Sequence, residues 1–516
     1  MLERLNGMFA FALHDGAART LFLARDRLGV KPLHYATLPD GSLAFASELK
    51  GLLAHPLLRR EPSLHAVEDY LAYGYVPDDA CVVEGVRKLP AGSFLLVERG
   101  KPVPEPGRWW DVDFSARATG SADSLAEELI ERMRAAVRSR MVADVPLGAF
   151  LSGGVDSSGV VALMAEASSG AVRTCTIGFD EADHDERAHA DAVARRFRTD
   201  HRDRVVRPDD FSLIDTLVEH FDEPFADASA LATYQVSALA RESVTVALSG
   251  DGADEALAGY RRHRFHAAEE RVRGLLPAGV RRDVFGTLGR YCPKADWAPR
   301  PFRARSTLLA LAADGAEGYA RAVGVTAPEL RARLFSPDAR RALDGHRAED
   351  RYARTMRAAP AREPLDGAQY ADLKHWLPGD ILTKVDRTSM AVSLEAREPL
   401  LDHRLVEFCA TLPSGLRLRR GQGKWLMKRS LERHLPHDIL HRPKMGFVTP
   451  ISAWFRGALA SEAAALARSP VLERFGWFDL PVLGELAAAH RAGRAEHGRT
   501  LWQFVMLERS LARLFG

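Results

Sequence analysis

The 516-residue sequence predicts an α/β protein in three parts: a β-rich segment, a parallel sheet with crossover helices, and a long helical half. Three observations predict it. Residues 1 to about 100 set short apolar runs (FAFALHD, TLFLARD, HYATL, SLAFAS, GSFLLVE) between Gly, Pro and Asp, as strands joined by turns are built. From Val145 to Gly250 strand-like and helix-like runs alternate, which implies right-handed βαβ crossovers and a parallel sheet. After Gly259 the pattern is helical to the end, broken by loops near Pro277, Pro293, Pro299, Pro413 and Pro443.

The elements follow in order. A helix from about Ser63 to Tyr73 interrupts the first strands. KPVPEPGRWWDVDFSARATGS, Lys101 to Ser121, is rich in Pro, Gly and small residues and reads as a linker. The next helix, Ser124 to Arg140, carries Leu125, Leu129, Met133 and Val137 at helical spacing. Then VPLGAFLS reads as a buried strand and RTCTIGF, DHRDRVV and VTVALSG as strands, with DSSGVVALMAEAS, ERAHADAVARRF, FSLIDTLVEHF and LATYQVSALARE as helices between them. Further on, Ile381 to Leu394 reads as a helix with Leu382, Val385, Ser389 and Val392 on one side, and Lys384, Asp386 and Arg387 on its polar sides. An Asp386–Arg387 neighbour pair is ordinarily a surface feature.

Composition narrows the function classes. Lys+Arg 71 against Asp+Glu 69, with no block of like charge, argues against a nucleic-acid platform. Cys81, Cys175, Cys292 and Cys409 lie far apart, as reduced thiols do, and no apolar run reaches membrane-span length, so the expectation is a cytoplasmic enzyme without a membrane partner. The opening MLERLNGMFAFALHDG reads as an internal strand with no leader's layout.

Chemistry concentrates in four motifs. LSGGVDSS, Leu151 to Ser158, follows a strand and opens a helix, where two glycines, three hydroxyls and a helix N-terminus suit an anion. Asp156 puts a carboxylate beside that anion, which fits a bridging divalent metal; the loop lacks the G-K-[ST] ending of a Walker A motif. ALSGDGADEALAGY, Ala247 to Tyr260, sits at another strand end. Ser249 and Gly250 can bond a nucleotide, and Asp251, Asp254 and Glu255 form an acidic cluster suited to Mg²⁺ or to a substrate amine. LPGDILTKVDRTSMAVSLEAREPLLDHRLVEF reads from the residues alone as mostly structural. HRPKMGFVTPISAWFRG presents Lys444 on an irregular loop, where it is either a binding group or an ordinary surface lysine.

Taken in this order, the four motifs resemble the B-type, glutamine-hydrolysing asparagine synthetases, and SGGVDSS is similar to the pyrophosphate loop of the N-type ATP pyrophosphatases. The resemblance implies a fold: part of an N-terminal-nucleophile (Ntn) hydrolase sandwich, a class II glutamine amidotransferase domain, over 1–105; a linker over 106–121; and a parallel-sheet ATP pyrophosphatase domain with a helical C-terminal half over 122–516. It implies an activity: adenylation of the aspartate side chain by ATP with Mg²⁺, release of pyrophosphate, and attack by ammonia. It implies roles. Ser152, Gly153, Gly154, Asp156, Ser157 and Ser158 hold pyrophosphate; Leu151 and Ile177 flank the adenosine; Ser249 and Gly250 contact the nucleotide. Asp156 and Asp254 ligate Mg²⁺, Asp251 serves intermediate formation, Glu395 stands near the attacking amine, and Lys444 neutralises the α-phosphate. A homodimer is an assembly the resemblance allows.

The sequence departs from the family at its start. The family's nucleophilic Cys and its R-G-P and N-G-E-I-Y-N motifs have no counterpart, so the expectation is that about a hundred family residues are absent, that no glutaminase nucleophile is present, and that glutamine hydrolysis is lost. An apolar sheet face left uncovered in residues 1–100 is a further expectation. The alternative function is an amidotransferase-like tailoring enzyme that amidates another carboxylate, in a secondary metabolite or an exopolysaccharide.

Overall fold

Asp15 turns the chain for the first time: its Oδ1 accepts from the amides of Ala17 and Ala18, closing an Asx turn between β1 (Ala10–Asp15) and β2 (Thr20–Arg25). In the computed structural model, which describes residues 1–179, 185–206, 213–292, 305–442 and 449–516, these strands join β6 (Ser93–Glu98) and β7 (Gly107–Arg108) in an antiparallel sheet ordered β1-β2-β6-β7. A second antiparallel sheet, β4-β3-β5, is made from β3 (His34–Thr37), β4 (Leu43–Ala46) and β5 (Val86–Lys88). Alternation sends Leu23 and Leu95 inward onto Leu33, Tyr35 and Leu89. The opposite face carries Phe9, Phe11, Phe22 and Phe94, whose rings meet in succession at centroid distances of 5.6, 6.1 and 5.7 Å, beside Leu13 and Leu96, 53% and 46% exposed. The expected uncovered apolar face is present only in part: Leu13 and Leu96 are exposed, while the four rings are half-buried and Phe9 stacks on Trp109.

The helix Leu64–Tyr73 leaves these sheets and packs into the helical half. Tyr70 donates its hydroxyl to the Gln503 carbonyl at 2.7 Å, and Gln503 Nε2 returns bonds to the carbonyls of Tyr70 and Leu71. The linker is equally committed. Trp110 Nε1 donates to Glu407 at 2.7 Å, and Val112 and Phe114, each 1% exposed, lie in one core with Leu373 and Leu377. Its Pro and Gly content signalled loop correctly, but loop here means irregular backbone with buried side chains.

Beyond it, Ser121 caps the helix Ala122–Arg140, whose Leu125, Leu129, Met133 and Val137 are buried as their spacing predicts. The expected parallel sheet follows: β8 (Leu147–Phe150), β9 (Arg173–Phe179), β10 (Asp200–Val206) and β11 (Val246–Leu248). A fifth strand, β12 (Glu395–Arg397), pairs with β11 in the register Val246↔Glu395. The order is β10-β9-β8-β11-β12, so the winding reverses between β8 and β11. Ligands of open α/β sheets bind beyond the carboxyl ends of the strands at such a reversal.

Two expectations for Ile381–Leu394 are corrected. The segment is not one helix: a wide-turn helix, Asp372–Leu382, holds Pro378 and passes into the helix Thr383–Met390, after which Ser393 takes a left-handed φ of 57° and the chain enters β12. Helical periodicity cannot anticipate a three-residue strand whose only reason to extend is the open edge of β11. Asp386 and Arg387 are not a surface pair either. Both are buried, Asp386 bonded to Lys31 at 2.7 Å and Arg387 to Glu48 at 2.9 Å, which ties this helix to the N-terminal sheets. Among the described residues no helix is long and apolar enough to cross a membrane, and all four cysteines are free thiols.

Phe114→Ala tests whether the linker is structural. Removing a ring buried to this degree lowers unfolding free energy by about 3–5 kcal/mol in denaturant melts; a change below about 1 kcal/mol would show a free tether.

Candidate active site

The helix Val155–Ala167 begins where β8 ends, so its N-terminal amides open onto the reversal of the sheet. The loop before it is folded by its own hydroxyls: Ser157 Oγ accepts from the Ser152 amide at 3.2 Å and lies 3.0 Å from Ser152 Oγ, and Ser152 Oγ accepts from the Gly154 amide at 3.3 Å. Gly153 has φ 68°, and a Cβ there would lie 2.6 Å from the His189 backbone, so only glycine fits. Free amides and a helix N-terminus of 13 residues give this loop a positive potential suited to an anion.

The loop after β11 lies directly against it. A Cβ on Gly250 would stand 2.7 Å from the Ser157 amide nitrogen, so the second loop reaches the first by having no side chain at that point. Ser249 donates its hydroxyl to Asp251, and its amide donates to the Arg397 carbonyl of β12 at 2.8 Å, which fixes the turn to the sheet edge.

The two loops bring Asp156 and Asp254 together. Lys424 Nζ lies 2.5 Å from Asp156 Oδ2 and 2.8 Å from Asp254 Oδ1, so both carboxylates converge on one point. Lys424 is buried; burial opposes its charge, but the two carboxylates outweigh it and hold the ammonium above its ordinary pKa. Two carboxylates at one point, beside an anion loop, are a donor set that fits Mg²⁺, which takes one or two protein carboxylates and completes its shell with phosphate and water oxygens.

These groups line one cavity of about 340 Å³, with Leu151, Ser152, Asp156 and Ser157 on one wall and Ser249, Gly250, Asp251 and Asp254 on the next. Cys175 and Thr176 of β9 line it as well, whereas Ile177, the expected flank of a nucleoside, is packed in the core with Val236 and Leu239. Ser158 is also fully buried and does not line the cavity, and its hydroxyl makes no hydrogen bond among the described residues. Glu255, read as part of the acidic cluster, is covered: it accepts from the Tyr260 hydroxyl at 2.6 Å, and burial together with Asp254 raises its pKa to about 7. The third wall comes from the wide-turn helix and its continuation, through Asp380, Ile381, Lys384 and Val385. Lys384 Nζ donates to Asp227 at 2.7 Å and to Ser229 at 2.9 Å, and the buried Asp380 beside it is pushed well above the usual carboxylate range by burial and by Asp227.

Glu395 is elsewhere. It accepts from Arg397 Nε at 2.6 Å and lines a second cavity between the parallel sheet and the N-terminal sheets. Lys444 lies outside the described residues; two positions earlier, Arg442 pairs with Glu186 at 2.6 Å and reaches the Ser152 carbonyl at 3.5 Å. Sequence reasoning missed Lys384 and Lys424. The signal that singled out Lys444, lysine scarcity in an Arg-rich chain with only ten lysines, applies to both.

Comparisons with known proteins give the family. A sequence profile described as asparagine synthase matches residues 128–512, and one described as glutamine amidotransferase domain matches residues 1–110. A putative glutamine-hydrolysing asparagine synthetase of Mycobacterium tuberculosis is 34% identical, over 98% of this chain and 76% of its own length. Asparagine synthetase 1 of Bacillus subtilis is 28% identical over 97% of this chain and 76% of its own. An amidase, chyE, of Penicillium rubens is 26% identical over 93% and 75%.

Lys424→Met tests the clasp between the loops. It leaves two half-buried carboxylates facing each other without a cation, and unfolding free energy falls by about 1–3 kcal/mol. An unmoved denaturation midpoint would remove Lys424 from this role.

Proposed function

Since the chain belongs to the asparagine synthetase family and is a carbon–nitrogen ligase, we propose that it amidates the side-chain carboxylate of aspartate with ATP, through β-aspartyl-AMP. The observation that carries this reading is the meeting of two strand-end loops at the sheet reversal, one an anion cradle and the other a source of carboxylates, with Asp156 and Asp254 at a single point.

In this reading Ser152, Gly153, Gly154, Asp156 and Ser157 hold the pyrophosphate end of ATP, with the Ser158 side chain buried behind them. Leu151, Ser249 and Gly250 face the nucleotide, and β9 offers Cys175 and Thr176 to the adenosine in place of Ile177. Asp156 and Asp254 would hold Mg²⁺, which supplies charge neutralisation at the phosphates when bound. The aspartate carboxylate attacks the α-phosphorus, and the bond to pyrophosphate breaks. Negative charge grows on the phosphoryl oxygens, and Lys444, by the family likeness, offsets it. Lys384, facing the cavity with its charge intact, suits the second carboxylate of aspartate. Asp251 assists formation of the intermediate, and Glu395 stands on the side from which ammonia comes.

The domain reading is part of the proposal: a partial class II amidotransferase unit of Ntn-hydrolase type over 1–105, a connector over 106–121, and an ATP-pyrophosphatase unit over 122–516. The paired antiparallel sheets and the parallel 3-2-1-4-5 sheet support it. In this reading ammonia is the group that attacks the adenylated carboxylate. A second reading, amidation of a different acid, is favoured by the likeness to amidases such as chyE, because the same nucleotide loops serve either acceptor.

Incubation with ATP, [¹⁸O]aspartate and ammonium chloride yields asparagine, pyrophosphate and AMP carrying one ¹⁸O. ADP as product would overturn the adenylation, and AMP formation with another acid only would establish the second reading. Ser152→Ala and Lys444→Ala each lower the rate of pyrophosphate release by about 10²–10³-fold.

A further inference from the structure

The helix Arg261–Leu275 follows the SGDG loop and opens with the run Arg261, Arg262, His263, Arg264. Arg261 and Arg264 are exposed, whereas the Arg262 side chain is 14% exposed and turns inward. Its guanidinium lies over two rings at once, 3.9 Å from the centroid of Tyr260 and 4.6 Å from that of Trp376. The two rings meet edge to face at 82°, and Trp376 Nε1 donates to the Tyr260 hydroxyl at 3.1 Å. Both aromatic residues line the nucleotide cavity, and Arg262 stands behind them.

The edge of the guanidinium is held as firmly as its face. Nη2 donates to Asp372 Oδ2 at 2.9 Å and Nε donates to it at 3.2 Å, and Nε also reaches the Tyr319 hydroxyl at 3.1 Å. The same carboxylate oxygen accepts from the Tyr319 hydroxyl at 2.7 Å and lies 2.8 Å from His263 Nε2. Asp372 is fully buried. Burial opposes its charge, but Arg262 and His263 outweigh it and keep its carboxyl below its ordinary pKa.

This cluster joins opposite sides of the cavity. Asp372 and Trp376 stand four residues apart at the start of the wide-turn helix, whose course and continuation carry Asp380, Ile381 and Lys384 onto the third wall. Tyr260 closes the loop that carries Asp254, and its hydroxyl donates to Glu255 at 2.6 Å. One guanidinium therefore fastens the end of the SGDG loop to the helix that forms the facing wall.

We propose that Arg262 is a positioning residue for the acceptor acid: by clamping Tyr260 to Trp376 it fixes the gap between the loop of Asp254 and the wall of Lys384. This rests on the amide-synthetase reading, in which the nucleotide lies on the SGG and SGDG loops and the acid lies against the third wall. The two loops are fixed by the sheet and by each other, so a wall that drifts leaves the nucleotide bound and misplaces the acid. Lysine is no substitute at this position. It keeps a charge beside Asp372, but a compact ammonium neither covers two rings nor offers a planar fork of donors.

The experiment follows AMP formation by Arg262→Lys and Arg262→Ala with aspartate, ammonium chloride and ATP. In both variants KM for aspartate rises about tenfold, the scale of a lost desolvated cation–π clamp, while KM for ATP stays within about twofold of the unmodified chain. Guanidinium chloride at low millimolar concentration fills the space left in Arg262→Ala and brings KM for aspartate back toward that of the unmodified chain. Methylammonium, of equal charge but without the planar face, does not. Equal rises in both KM values, an unchanged aspartate KM, or equal rescue by the two cations overturns the proposal. If Arg262→Ala does not fold, the two KM values of Arg262→Lys decide alone. An unmodified chain that forms no AMP with aspartate refutes the aspartate reading itself, a result distinct from any behaviour of the variants.

Discussion

One ammonium group holds the site together. Asp156 and Asp254 come from loops almost a hundred residues apart in sequence, and brought side by side on the cavity wall they repel. Lys424 lies between them, bonded to both, and is carried on a segment whose amide donates to the Leu257 carbonyl just past the second loop. Removal of a buried cation from such an arrangement is far costlier than its net contribution suggests, since two uncompensated charges remain. The clasp works only because Gly250 lets the second loop lie on the amide of Ser157. The helix N-terminus, the two carboxylates and the cavity all follow from that approach.

The N-terminal sheets take part in this architecture through ion pairs at their junction with the helix Thr383–Met390. Lys31 meets Asp386 and Arg387 meets Glu48, all on the helix that also sends Lys384 into the nucleotide cavity. That helix therefore ties the N-terminal sheets to one wall of the nucleotide cavity.

Much of the fold was legible because its elements are periodic. The stripe Leu125, Leu129, Met133, Val137 is a helix face wherever it is placed, and the alternation of β8, β9, β10 and β11 with helices forces a parallel sheet. The SGG and SGDG loops were legible because glycine and hydroxyl clusters at strand ends have few structural uses. The errors share one cause. Glu395–Arg397 became a strand because β11 had an open edge, Asp386 and Arg387 became buried because partners from residues 31 and 48 came to meet them, and Ile177 faced the core instead of the cavity.

The sequence by itself determined the fold class, the family, and the two loops that meet at the sheet reversal, since each is written in local spacing and residue type. Tertiary structure alone decided which charges are used. Lys384, Lys424 and Arg262 look like any other ionisable residues in the chain, and only their burial and their neighbours separate them from surface charge. A charged group's chemistry depends on what lies within a few ångströms of it, and that distance is set by chain segments far away in sequence.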